Sequence, residues 1–113
     1  MQIRKTYHEV NPELLFAEIR DFILEQGASL SESRMETYTL PDESASFISR
    51  GTLAFKANPE EENPCLRAHI VGMVRKETKL KISVDEGCFP DEKIKALQQD
   101  IDFVFSAYEE EKE

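Results

Sequence analysis

Between Leu66 and Val84 the chain alternates almost without a break. Leu66, Ala68, Ile70, Gly72 and Val74 take one parity, and Arg67, His69, Val71, Met73 and Arg75 take the other. After "KET" the same alternation resumes, with Leu80, Ile82 and Val84 against Lys79 and Lys81. A period of two belongs to extended strands with one face buried and one face wet. Two such runs joined by a short turn predict antiparallel neighbours, since a parallel crossover needs a dozen residues or more. This stretch therefore requires an antiparallel sheet with a single covered face.

The rest of the chain supplies the partners. "QIRKTY" suits a short first strand, "SLSESRMETYTLP" a second, and "ASFISRGTLAFKA" from Ala45 to Ala57 a third, with "PDES" as the turn between the last two. On the third, Phe47, Leu53 and Phe55 share the inward parity with Ser49 and Gly51 between them, and Ile48, Arg50, Thr52 and Lys56 take the outward one. Gly51 and Gly72 sit where glycine weakens a strand unless a bend needs it. "NPEEENP" reads as a polar hairpin loop, mobile and acidic over 59–63.

Two helices complete the pattern. Asn11 is a good N-cap, Pro12 a natural first helical residue and Gly27 a stop, with Leu15, Ile19, Phe22 and Ile23 at helical spacing. After "FPDE" a second helix carries Ile94, Leu97, Ile101, Val104, Phe105 and Tyr108 as one long stripe. The acidic end, 109–113, is expected to fray. The fold class is α+β: a curved antiparallel sheet of about five strands, in the order β-α-β-β-β-β-α, with both helices on one face. At 113 residues this makes one domain, 1–113.

The opening "MQIRKTYHEVNPELLFAEIRDFI" and the element order resemble the TBP-like class of folds, which includes the helix-grip (Bet v 1/START-like) family. The resemblance implies a carrier of small hydrophobic ligands. Its candidate pocket would lie between sheet and last helix, lined by Phe47, Leu53, Phe55, Ile70, Ile82, Leu97, Ile101 and Phe105.

No apolar run reaches the roughly 18 residues that span a bilayer, and no apolar core follows the basic residues of the first ten positions. With no export signal seen, Cys65 and Cys88 are expected to be reduced thiols in a cytoplasmic protein. Catalytic chemistry finds little support. Cys65 and His69, four residues apart on a strand, are separated by about 13 Å, beyond a nucleophile–base hydrogen bond. Two histidines form no zinc pattern, the acidic runs lack the calcium-loop spacing, and the four glycines make no phosphate loop. The reading is a non-enzymatic protein with no cofactor and no metal.

The charge distribution is more informative. The strands and the turn joining the last two hold ten of the fourteen basic residues, although the chain is acidic overall with net charge −9. Parity places Arg50, Arg67, His69, Lys79 and Lys81 on the free face around Ile48, Val71 and Met73. This basic and apolar surface suits an acidic protein surface or self-association through the acidic helical back of a second copy. Nucleic acid fits less well, because RNA-reading sheets present stacked aromatics and the outward positions of the four consecutive strands hold no clear pair. No membrane partner is expected.

Overall fold

A computed structural model of the chain describes residues 1–40, 43–73 and 76–109, with side chains throughout except at 40 and 43–46. The expectations for the turn at 41–44, for Val74 and Arg75, and for the tail at 110–113 lie wholly or partly outside those residues. Strand β1 (Gln2–His8) leads through α1 (Pro12–Glu25) to β2 (Ser29–Leu40), β3 (Glu43–Lys56), β4 (Leu66–Gly72) and β5 (Glu77–Val84). Helix α2 (Asp91–Phe105) and a short 3-10 turn (Ser106–Tyr108) follow. The five strands form one antiparallel sheet in the order β1-β5-β4-β3-β2. The expected α+β class and element order hold.

The order follows from the connections. β2 to β5 are joined consecutively and lie consecutively, while α1 carries the chain from β1 to the far edge. α1 starts where its sequence says: the Asn11 Oδ1 accepts the Glu13 N–H at 2.9 Å and Pro12 takes a position that needs no donor. It stops at Gly27, whose φ of 91° suits a residue without a side chain.

Inward residues of four strands meet both helices in one core, and Met35 of β2 packs half-buried against it. Ile3 and Tyr7 come from β1, Leu53 and Phe55 from β3, Leu66, Ala68 and Ile70 from β4, and Leu80, Ile82 and Val84 from β5. Leu15, Phe16, Ile19 and Ile23 of α1 and Ile94, Leu97, Ile101 and Phe105 of α2 close it. Two residues placed on the second helical stripe fall outside it. Val104 is exposed on the helix flank, and Tyr108 sits in the 3-10 turn, where the α-helical period no longer applies. "KET" is likewise not all turn, since Glu77 and Thr78 already pair in β5.

The mid-strand glycines serve close approach. A Cβ at Gly51 would lie 2.4 Å from Phe16 Cδ2, so the bare backbone is the seat of an α1 aromatic ring. A Cβ at Gly72 would lie 2.3 Å from the Oγ1 of Thr78, its cross-strand partner. That buried hydroxyl donates to the Val10 carbonyl at 2.9 Å, tying β5 to the loop between β1 and α1.

The expectation of reduced thiols is overturned. Cys65 and Cys88 form a disulfide, with Cα atoms 5.7 Å apart. The physical reason is the register. Leu66 pairs with Val84, so the residue before β4 lies beside the residues after β5, and the Asp85 N–H donates to the Cys65 carbonyl at 2.8 Å. A turn with Gly87 at φ 78°, closed by the Cys88 N–H on the Asp85 carbonyl, then folds Cys88 back over Cys65.

Two outcomes test this packing. Gly51→Ala should lower unfolding free energy by about 1–3 kcal/mol in a denaturant titration, as expected for overpacking against a ring. Thiol titration of the unfolded, unreduced protein should find no free thiol, and Cys88→Ser should cost about 2–4 kcal/mol.

Candidate functional site

The free face of the sheet is assembled by cross-strand register. One row runs Arg4, Lys81, His69, Thr52, Arg34 across all five strands. The row on one side of it runs Thr6, Lys79, Val71, Arg50, Glu36, and the row on the other side Gln2, Ser83, Arg67, Ala54, Glu32. Neighbouring strands lie about 4.8 Å apart and alternate residues about 7 Å apart along a strand. Lys81 therefore has Arg4, Arg67 and Lys79 within about 9 Å, roughly one Debye length at physiological salt, and Arg50 stands about 10 Å from Lys79.

The acids of this face lie at its margins. Glu32 and Glu36 belong to the β2 edge, and Glu77 starts β5. Lys79 reaches Glu77 at 3.5 Å and Arg34 reaches Glu36 at 3.1 Å. Arg4, Arg50, Arg67 and Lys81 form no ion pair among the described residues. Arg4 and Lys81 are directly opposed, an arrangement that costs stability in a sheet. Outward positions need only be polar, and serine or threonine would satisfy that without the repulsion.

All of the outward residues expected from parity that lie in strands are on this face. Arg50, Arg67, His69 and Lys79 are exposed, and Lys81 and Val71 are half-buried. A broad open depression of about 610 Å³ runs along Arg4, Thr6, His69, Val71, Lys79 and Lys81. Ile48 lies off this centre, opposite Tyr38 in the β2–β3 hairpin, and Met73 follows β4 with its N–H on the Glu77 carbonyl.

The candidate pocket residues behave differently. Leu53, Phe55, Ile70, Ile82, Leu97, Ile101 and Phe105 are all buried in one packed cluster. Between sheet and helices, a space of about 10 Å³, the room of one water, lies by Ile23, Leu66, Phe89, Ile94 and Leu97, and an open cleft of about 210 Å³ lies between β1 and α2 at Ile3, Lys5, Gln98, Ile101 and Asp102. Phe47 departs from its expectation and is 52% exposed. Its parity is inward, but β3 pairs with β4 only from Ser49 onward, so Phe47 lies in the overhanging part of the hairpin where no helix covers it.

Sequence reasoning missed a polar cluster at β1. Lys5 has inward parity, yet its ammonium meets Glu109 at 2.9 Å and Asp102 at 3.6 Å. Glu109, expected to fray, is bridged to Tyr7 instead. The hydrogen bond that the Lys5 ammonium donates to Glu109 holds the Lys5 pKa above its ordinary value against the opposing effect of burial. Burial pushes the Tyr7 hydroxyl well above the ordinary tyrosine range, and the Glu109 and Asp102 carboxylates act in the same direction. The Tyr7 ring packs on Phe105 with centroids 5.7 Å apart. No local pattern marked these residues, because the contacts depend on where the chain goes after α2.

Cys65 is oxidised and so offers no thiolate beside His69. Among the described residues no three metal-ligating side chains gather, and no helix is long and apolar enough to cross a membrane. Comparison with protein-family models, with curated proteins and with solved structures gave no match.

The Tyr7 environment predicts an alkaline limit. Above the ordinary value of 10.0 the unfolded chain releases the Tyr7 proton while the folded chain keeps it, so stability falls as pH rises. Lys5 acts with the same sign, since its raised pKa gives stability present below 10.5 and lost as pH climbs through the folded value. Urea titrations from pH 9 to 11.5 should show Tyr7→Phe losing about 1.4 kcal/mol less per pH unit than wild type above pH 10.

Proposed function

We propose that the protein is a binding module whose open sheet face docks an acidic surface of a different protein. The supporting observation is the group of cations at the centre of the sheet, unpaired among the described residues and flanked by half-buried Val71. Mixed basic and apolar character suits a protein surface, with charge guiding approach and apolar contact slowing departure.

Electrostatics selects among occupants of the face. Two copies meeting face to face about a twofold axis would set arginine and lysine against arginine and lysine. One copy's face on the helical back of another, where Glu13, Glu18, Asp21, Glu25, Asp91, Glu92, Asp100 and Asp102 lie, would attract. That contact is heterologous, however, and propagates into chains unless its rotation closes. A separate acidic partner avoids both outcomes. Nucleic acid is disfavoured by the net charge of −9 and by the lack of an aromatic pair at the centre of the face. Among the described residues no catalytic constellation favours an enzyme reading over a binding one. Disulfides persist where surroundings are oxidising, so the Cys65–Cys88 bond supports a location outside the reducing cytosol over a cytoplasmic one.

An acidic peptide with interspersed leucines, titrated into labelled protein and followed by NMR, tests the docking. Shifts should cluster at Arg50, Arg67, His69, Val71 and Lys81, and affinity should fall as salt shortens the Debye length from about 10 Å toward 3 Å. Arg67→Glu with Lys81→Glu should weaken binding at least tenfold while moving the melting temperature by no more than a degree or two. Absent shifts on this face, or equal binding by the double variant, would remove the proposal.

A further inference from the structure

The two edges of the sheet are treated differently. Along β1, the chain leaving α2 returns to bridge Tyr7 and place Glu109 on Lys5. Along β2, no described segment pairs with the outer edge. This is a twelve-residue strand, longer than β1, β4 or β5, and an open edge of that length is a template for another strand.

The regular part of β2 is bounded by its own irregularities. Pairing with β3 shifts between Leu30 and Glu32 and again between Thr39 and Leu40, leaving an unbroken ladder between them. Within it Glu32, Arg34, Glu36 and Tyr38 face outward, and Ser33, Met35 and Thr37 face the helix side.

We propose that β2 pairs with β2 of a second copy, antiparallel about a twofold axis at Met35, to make one continuous ten-stranded sheet. In that register each Arg34 lies opposite the second copy's Glu36, and each Glu32 lies opposite its Tyr38. Met35 meets Met35 on the helix side, and Ser33 meets Thr37. The paired stretch, Glu32 to Tyr38, fits inside the regular ladder with no bulge to cross.

Several other arrangements are opposed by these charges or by the irregularities that bound the ladder. An axis at Arg34 sets arginine on arginine and Glu32 on Glu36, and an axis at Glu36 sets glutamate on glutamate. An axis at Ser33 needs pairing across the irregularity at Leu30/Glu32. Parallel in-register pairing places every charge against its like, which destabilises a sheet. A slip by one residue would turn the helix-side residues outward. The alternating Glu-Arg-Glu of this edge thus favours the axis at Met35 and opposes those at Arg34 and Glu36.

The side chains are available for it. Arg34 and Glu36 already pair along their own strand at 3.1 Å, with side chains 63% and 41% exposed. The Tyr38 hydroxyl also donates to Glu36. Opposed residues on paired strands have Cβ atoms about 5 Å apart, closer than the roughly 7 Å along one strand, so the exchange shortens the reach. The contact uses the edge and leaves the basic face open, so it stands independently of the docking proposal.

Sedimentation equilibrium of the full chain tests it. Wild type should approach twice the 13.0 kDa chain mass with rising concentration. Arg34→Glu and Glu36→Arg should each weaken association at least tenfold. The exchanged variant carrying both should recover to within about threefold of wild type, because it restores opposite charges across the axis. Melting curves taken at concentrations where wild type is monomeric establish that each variant is folded, and these exposed positions should leave them unchanged there. As a second measurement on wild type alone, amides of Glu32 to Tyr38 should gain exchange protection at high concentration, and β1 amides should not. A wild type that stays monomeric to millimolar concentration would overturn the proposal. So would single variants that associate like wild type, a folded double variant as weak as the singles, or β2 amides indifferent to concentration.

Discussion

Only one side of the five-stranded sheet is covered, and the covering depends on how closely α1 can approach it. The Phe16 ring rests where Gly51 has no side chain, at a distance that excludes even a methyl group. That seat lets Leu15, Ile19 and Ile23 reach Leu53, Phe55 and Ile70 in a single layer. Such contact stabilises by removing apolar surface from water and by dense packing. With the apolar residues spent on one side, the other side of each strand was free to carry charge.

Charge then separates by layer. The helices carry most of the acids that lie in regular structure, and the central strands carry cations on the far face, most of them without an ion pair among the described residues. A sheet about 10 Å from its covering layer leaves these groups too far apart to neutralise one another fully at physiological salt. The molecule is thus acidic in total and basic at the centre of its uncovered sheet face.

What could be read from the sequence was whatever repeats locally. Alternation placed Ile70 inward and Arg67 outward, the Asn11-Pro12 cap and Gly27 bounded α1, and the order of elements followed from short connections. Phe47 escaped because parity says which side a residue faces and nothing about whether the covering layer extends that far. The disulfide escaped because Cys65 and Cys88 are joined by the β4–β5 register, at 23 residues' separation, and compartment was inferred from a segment instead of from geometry. Lys5 defied parity because its partner arrives from the segment after α2. Gly51 and Gly72 were rightly singled out, but the reason is a neighbour in space at each.

The Cys65–Cys88 bond has a further, mechanical meaning. It converts the central β4–β5 hairpin into a covalently closed ring, through which tension along the chain passes as a short link with Cα atoms 5.7 Å apart. The enclosed residues would otherwise add about 80 Å of contour when drawn out. A protein pulled from its two ends would therefore surrender β1, the helices and the β2–β3 hairpin while the two strands at the middle of the sheet stayed out of the line of force. The strands so shielded are the ones that present Arg67, His69, Val71, Lys79 and Lys81.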